Sequence, residues 1–327
     1  MKYLLRRLGF LLVALWGALT LNFFIPRLMP GNPAEAMMAR FHGHINPSAL
    51  KALEVAFGVN NHESLLSSYI HYLGNTLTGN LGISISYFPL SVSSVIAKAL
   101  PWSLSLVGVA TIFGFLIGTA LGALTAWRRG GVLDNIVPPV FIVISAFPYF
   151  WIGLLSIWLF SLTLGWFPLL GGYDETTTPT LTWGFAVNVL WHAVLPASTI
   201  LITSIGGWIL TMRNNMISVL SEDYVKMAKA KGLKSRKIIW QYAGRNALLP
   251  NLTGFAMSLG FVISGAILVE YVYNYPGVGF MLLQAVENED YPLMQALFLL
   301  ITVAVLIAIF ISDILTAILD PRTRVNS

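Results

Sequence analysis

The chain contains no cysteine, which rules out a disulfide framework, a cysteine-ligated zinc site, an iron–sulfur cluster and a thiol nucleophile. Charge is scarce too: Asp, Glu, Lys and Arg make up 10% of the 327 residues, against 56% hydrophobic residues. A soluble domain usually carries about 25% charged residues, so this chain cannot clothe a soluble surface in charge. No Gly-Lys dipeptide occurs, and with it goes any phosphate-cradling G-x-x-x-x-G-K-[ST] loop. H-E-x-x-H, G-x-S-x-G and paired intramembrane aspartates are missing as well, leaving no catalytic chemistry to assign.

Long apolar runs are abundant. Crossing a bilayer core takes about 20 mainly apolar residues, and six segments qualify: 8–28, 101–127, 136–164, 194–212, 250–272 and 292–319. The third is long and contains Pro148, which predicts a kink or a strong tilt. The first begins with basic residues, but its apolar run is longer than a signal-peptide core and no small-residue cleavage site follows. It is expected to stay as a helix.

The net charge of +5 does not point to nucleic acid, because the cations cluster at the ends of the apolar runs. With the N-terminus inside, all but Arg27, Arg40, Lys51 and Lys98 of the 19 Lys and Arg fall in the cytoplasm. The reverse orientation breaks the positive-inside tendency. The reading is therefore a multi-pass protein of the inner (plasma) membrane with both termini cytoplasmic.

Three parts follow: residues 1–29 with the first span, an extracytoplasmic insertion over 30–100, and a membrane core over 101–327. The insertion shows helical patterns over 47–57 and 65–77, and its size suits a small lid. The outer loop 165–188 carries Trp166, Phe167, Tyr173 and Trp183, most simply interfacial anchors, with substrate contact the alternative. A basic cytoplasmic segment, 213–249, is too long for a turn. Ser221 is read as a helix cap, with Glu222 and Asp223 in the first turn where the helix dipole favours acids. Gly232 is a natural stop, and a second helix over 235–245 should complete a protruding knob.

This segment carries the most specific signal. Glu222-Asp223-Tyr224-Val225-Lys226-Met227-Ala228-Lys229-Ala230-Lys231-Gly232-Leu233, followed by Arg245-Asn246-Ala247-Leu248-Leu249-Pro250, resembles the coupling segment of ABC importer permeases of the dipeptide/oligopeptide/nickel branch. Four further motifs resemble the same family in order: Pro30-Gly31-Asn32-Pro33-Ala34, Tyr72-Leu73-Gly74 with Gly79-Asn80-Leu81-Gly82, the run Glu270 to Gly279, and Asp290-Tyr291-Pro292 with Leu319-Asp320-Pro321-Arg322. Asn32 and Asn80 replace the family's Asp. Pro250 lies 18 residues beyond Gly232, a spacing similar to the peptide branch rather than to sugar and amino-acid importers.

The resemblance implies an all-α, six-span type I importer permease that catalyses nothing itself. It implies that Glu222, Asp223, Tyr224, Ala228, Ala230, Gly232 and Leu233 dock into an ATPase subunit, with the small residues allowing close approach. The implied partners are a second homologous permease, two ABC ATPases and an extracytoplasmic solute-binding protein, besides membrane lipid. ATP and Mg would reside in the ATPases, and this chain would hold no cofactor. Short peptides are the first substrate implied, oligosaccharides or nickel the alternative; an ATPase-independent secondary transporter would leave the docking segment unexplained.

Ionisable residues at membrane depth are functional candidates by default. Glu270, with Tyr271 beside it, is a candidate for a gate or substrate path; the other reading is that Glu270 bonds local backbone in the 271–279 turn. For Asp313 the expected role is a structural bond to another helix, and for His192 a structural one. Gly114, Gly118 and Gly122 have the spacing of close helix packing, within this chain or against a partner.

Overall fold

A computed structural model describes residues 2–28, 64–180 and 182–319. The described chain is helical, with one isolated bridge between Ile83 and Ser91. Its elements are α1 (Lys2–Leu28), α2 (Leu65–Leu77), α3 (Val92–Trp127), α4 (Val132–Ala146) and α5 (Tyr149–Ser156), which continues as a π-helical stretch, Ile157–Thr163. Then come α6 (Trp183–Leu220) and α7 (Asp223–Ala230). A turn, Ser235–Lys237, and a π-helical stretch, Ile238–Ala243, lead into α8 (Gly244–Phe261). After a 3₁₀ turn, Val262–Ser264, follow α9 (Ile267–Val272), α10 (Val278–Glu287) and α11 (Tyr291–Leu319). Five helical stretches are long and apolar enough to cross a membrane, and a sixth if α4 and α5 form one bent span. The helix expected over 47–57, the motif at 30–34 and the motif beyond Leu319 lie outside the described residues.

The six apolar runs sit where expected, but the helices that carry them are longer. α3 starts at Val92, nine residues before Pro101, because Ser91 caps it by accepting from the Ser94 amide at 3.3 Å. Pro101, Pro196 and Pro250 all lie inside helices. Apolar-run length reports the bilayer core, whereas helices continue into the polar layers on either side. The third span departs most: at Phe147-Pro148 the chain turns by 93°, far beyond a kink or tilt. Phe147 is extended, at φ −81 and ψ 140, as the residue before a proline is pushed to be, and Pro148 serves as the N-cap of α5.

α3 packs along α6, and the three spaced glycines make this possible. A Cβ at Gly118 would lie 2.6 Å from Trp208 Cβ and 3.0 Å from Ile205 O. One at Gly122 would lie 2.5 Å from Ile209 O. Their small size therefore serves contact inside this chain. Gly118→Leu is expected to cost about 1–3 kcal/mol through overpacking, seen as a fall of several degrees in the unfolding midpoint of the detergent-purified chain; an unchanged midpoint would mean that the helices have room to part.

Polar residues tie the spans together. Arg213 on α6 grips Asp134 on α4 through Nε at 2.6 Å and Nη2 at 3.1 Å, and Asp134 also accepts from the Gly130 amide at 2.9 Å. Arg7 on α1 meets Asp313 on α11 at 3.2 Å, the helix-to-helix bond anticipated for Asp313. His192 is buried, with Nδ1 2.9 Å from Asn188 O and Nε2 3.4 Å from Asp174. The start of α1 and the end of α11 thus share one end of the bundle. Trp127, at the end of α3, meets Lys229 of α7 through its ring face at 5.4 Å.

Candidate functional site

Ser221, read from the sequence as the cap of α7, instead turns its hydroxyl back and donates to Ser218 O at 2.6 Å. Ser221 has helical backbone angles, φ −84 and ψ −11, and closes α6. Glu222 takes the N-cap position without a side-chain bond. Asp223 stands in the first turn and pairs with Lys226 at 2.9 Å on the exposed surface. The expected stop at Gly232 is present: its φ is +72, its amide reaches Lys229 O at 2.9 Å, and Leu233 N reaches Ala228 O at 3.3 Å. A residue with a side chain is disfavoured at that φ.

The helix is two-faced. Val225 and Ala228 point inward and pack with Met212, Met216, Ile238, Ile239 and Ala243. Glu222, Asp223, Tyr224, Met227, Ala230 and Gly232 are exposed, and Leu233 is half-buried against the same apolar cluster. Ala228, read from the sequence as a small residue that lets a partner approach, instead faces the chain's own core at 3% exposure. The two-helix knob also needs correction. Residues 235–245 form no separate helix; they are the first turns of the helical stretch that runs on into α8. Only α7 stands apart.

Three contacts hold α7 rigidly. Asn246 Nδ2 donates to the Tyr224 hydroxyl at 2.7 Å, joining the two halves of the sequence motif. Lys229 sits over Trp127, and the apolar cluster ties the helix to α3 and α6. These contacts join α7 to three long helices, α3, α6 and α8.

At the far end of the bundle, Glu270 on α9 is fully buried. Its carboxylate accepts from Ser103 Oγ at 2.7 Å, the Gly279 amide at 2.7 Å and the Phe280 amide at 3.3 Å. Ser103 Oγ in turn accepts from the Val278 amide at 2.7 Å. Val278, Gly279 and Phe280 form the first turn of α10, whose amides have no partner within their own helix. Glu270 thus satisfies free amides of a helix N-terminus and, through Ser103, clamps α10 to α3. The glycines of the Pro276-Gly277-Val278-Gly279 run fit this crowding: a Cβ on Gly279 would lie 2.5 Å from Ile267 Cα.

Tyr271 faces the other way, exposed, and donates to Glu287 at 2.6 Å. Glu270 and Tyr271 are neighbours in sequence but do not converge on one surface. Tyr275 is buried edge-on against Trp102 at 5.6 Å. Burial, with the nearby Glu270, pushes its phenol up to about 12, so it stays neutral. Ser103 was not anticipated, since a lone serine in an apolar run carries no signal. Asp290 belongs to a recognised motif, and its work is now visible: it holds Ser84 Oγ at 2.5 Å, the Ser86 amide at 2.8 Å and the Leu293 amide of α11 at 3.2 Å.

Residues 118–325 match the family described as binding-protein-dependent transport system inner membrane component. The chain is 33% identical to a di/tripeptide transport system permease protein, DppB, of Pseudomonas aeruginosa, the match covering 99% of each. It is 32% identical to a dipeptide permease of Lactococcus lactis, over 99% of each, and 33% identical to an oligopeptide permease, AppB, of Bacillus subtilis, over 98% of each. In fold it is similar to a chain of the MetNI methionine ABC transporter, with a TM-score of 0.54 at 15% identity over 69% of this chain and 96% of that one. The full-length matches and the shared helical fold lead to one conclusion: this chain belongs to the family of inner membrane components of binding-protein-dependent transport systems.

Proposed function

We propose that this chain is one of two membrane-spanning halves of an ATP-driven importer of di- and oligopeptides, and that the ATP is hydrolysed by other subunits. The observation that carries the reading is α7: a short helix, locked to three long ones, whose outward face offers carboxylates, Tyr224 and Met227 to a partner. Relatives that match along the whole chain are named as peptide permeases. The clustering of Lys and Arg beside α7 and at both chain ends supports a cytoplasmic position for all three.

The assembly would comprise a second homologous permease, two ABC ATPases holding ATP and Mg, and an extracytoplasmic solute-binding protein received near the 30–100 insertion. Closure of the ATPase pair would press on Glu222, Asp223, Tyr224, Ala230, Gly232 and Leu233 and move the attached helices as rigid levers. Glu270 would then act as a positioning residue that keeps α9 and α10 moving with α3, while Tyr271 remains the nearer candidate for an exposed path.

Reconstitution of the chain with these partners in liposomes tests the proposal. Uptake of a labelled di- and tripeptide pool is expected only with ATP, ATPase subunits and loaded binding protein together. Uptake without the ATPases, or import of oligosaccharide or nickel in place of peptide, would overturn it.

A further inference from the structure

α2 belongs to the segment read from the sequence as an outer lid, yet its contacts set it at membrane depth. The apolar run of α1 extends from Arg6 to Ile25, and α2 is hydrogen-bonded inside that run. Thr20 Oγ1 donates to Trp16 O at 2.8 Å, so the Tyr69 hydroxyl, also 2.8 Å away, donates to Thr20. Asn22 Nδ2 donates both to the Tyr72 hydroxyl at 3.1 Å and to Gln295 O on α11 at 2.8 Å. Phe23, fully buried, meets Tyr69 edge-on at 5.1 Å. With a rise of 1.5 Å per residue, these anchors lie only about 3–8 Å inside the end of the apolar run. That is the layer where tyrosines gather and where in-plane amphipathic helices rest.

The remaining surface of α2 is sorted to match. At about 100° per residue, Tyr69 and Tyr72 make one flank, against α1. Leu66, Ile70 and Leu77 make a second flank, and they are 69%, 60% and 84% exposed. Ser67, His71 and Asn75 make the third. The helix contains no Asp, Glu, Lys or Arg. On α1, next to the residues that bond α2, Leu21, Phe24 and Ile25 are also exposed apolar residues.

We propose that α2 is an in-plane membrane helix, with Leu66, Ile70 and Leu77 seated among lipid acyl chains and Ser67, His71 and Asn75 turned to water. The lid is then anchored to the leaflet at the far end of the bundle as well as to α1 and α11, and a soluble partner could meet only its polar flank. Lipid is the occupant because the tyrosine bonds fix the depth, and at that depth the surface already presented by α1 is apolar.

The absence of cysteine makes the test direct. Ile70→Cys, Leu77→Cys and Asn75→Cys, each nitroxide-labelled in the liposome-reconstituted complex, are compared for collision with oxygen and with a water-soluble nickel chelate; the cysteine-free parent in the same complex supplies the background. Positions 70 and 77 are expected to favour oxygen over nickel several-fold, and position 75 to show the reverse. The proposal is overturned if 70 and 77 are as open to nickel as 75, which would put that flank in water. It is equally overturned if both reagents are excluded there, which would mean that protein, from residues 29–63 or a partner, covers the flank.

Discussion

Glu270→Ala is expected to destabilise the chain by about 3–5 kcal/mol, since each hydrogen-bond donor left unsatisfied in a buried site costs roughly 1–3 kcal/mol. The substitution strips the partner from Ser103 Oγ and from the Gly279 and Phe280 amides at a site with no exposure to water. Three donors are then buried with nothing to accept them. The cavity adds a further loss. Glu270→Gln should be milder, because its carbonyl oxygen still accepts while its amide nitrogen faces donors. The ranking wild type, Gln, Ala should appear in the thermal midpoint of the purified complex and in ATP-driven uptake. A wild-type midpoint for Glu270→Ala would show that the clamp on α10 is dispensable.

Ala230→Trp is expected to leave the chain folded and to reduce ATP-driven uptake at least tenfold, which corresponds to about 1.4 kcal/mol of lost association. Ala230 is exposed on α7, so a large ring there disturbs no internal packing and stands in the way of a close-fitting partner. Ala228→Trp is the control from the opposite face. It would force an indole between Met212, Met216 and Ile239, and folded protein itself should be lost. Co-purification with the ATPase subunits separates the two effects: Ala230→Trp should be monodisperse but free of ATPase. If it assembles and transports as wild type does, the exposed face of α7 is not where force enters.

The start and stop of α7 were legible to within a residue or two because they rest on local chemistry, acids at the helix start and a glycine at positive φ. Which side of α7 faces inward was not legible. An eight-residue helix with Ala228 and Ala230 in it has small residues on both faces, and the choice was made by α6 and the start of α8 packing from one side. Likewise, Glu270 stood out as a charge in an apolar setting, but its partners come from residues 103 and 278–280, brought together only when α3 and α10 meet.

The amino-acid sequence by itself determined the membrane class, the six apolar runs, the amphipathic helix over 65–77 and the place of the α7 motif along the chain. Each of these depends on interactions within a window of about 20 residues or on transfer between water and lipid. The tertiary structure decided the rest: the 93° bend at Phe147-Pro148, the use of Gly114, Gly118 and Gly122 inside the chain, the Arg213–Asp134 and Arg7–Asp313 pairs, and the depth of α2 against α1. In a bilayer apolar residues gain little by leaving lipid for protein, so hydropathy says that a helix is inserted but not which neighbour it takes. Close fit and a few buried polar bonds make that choice, and they exist only once the helices are assembled.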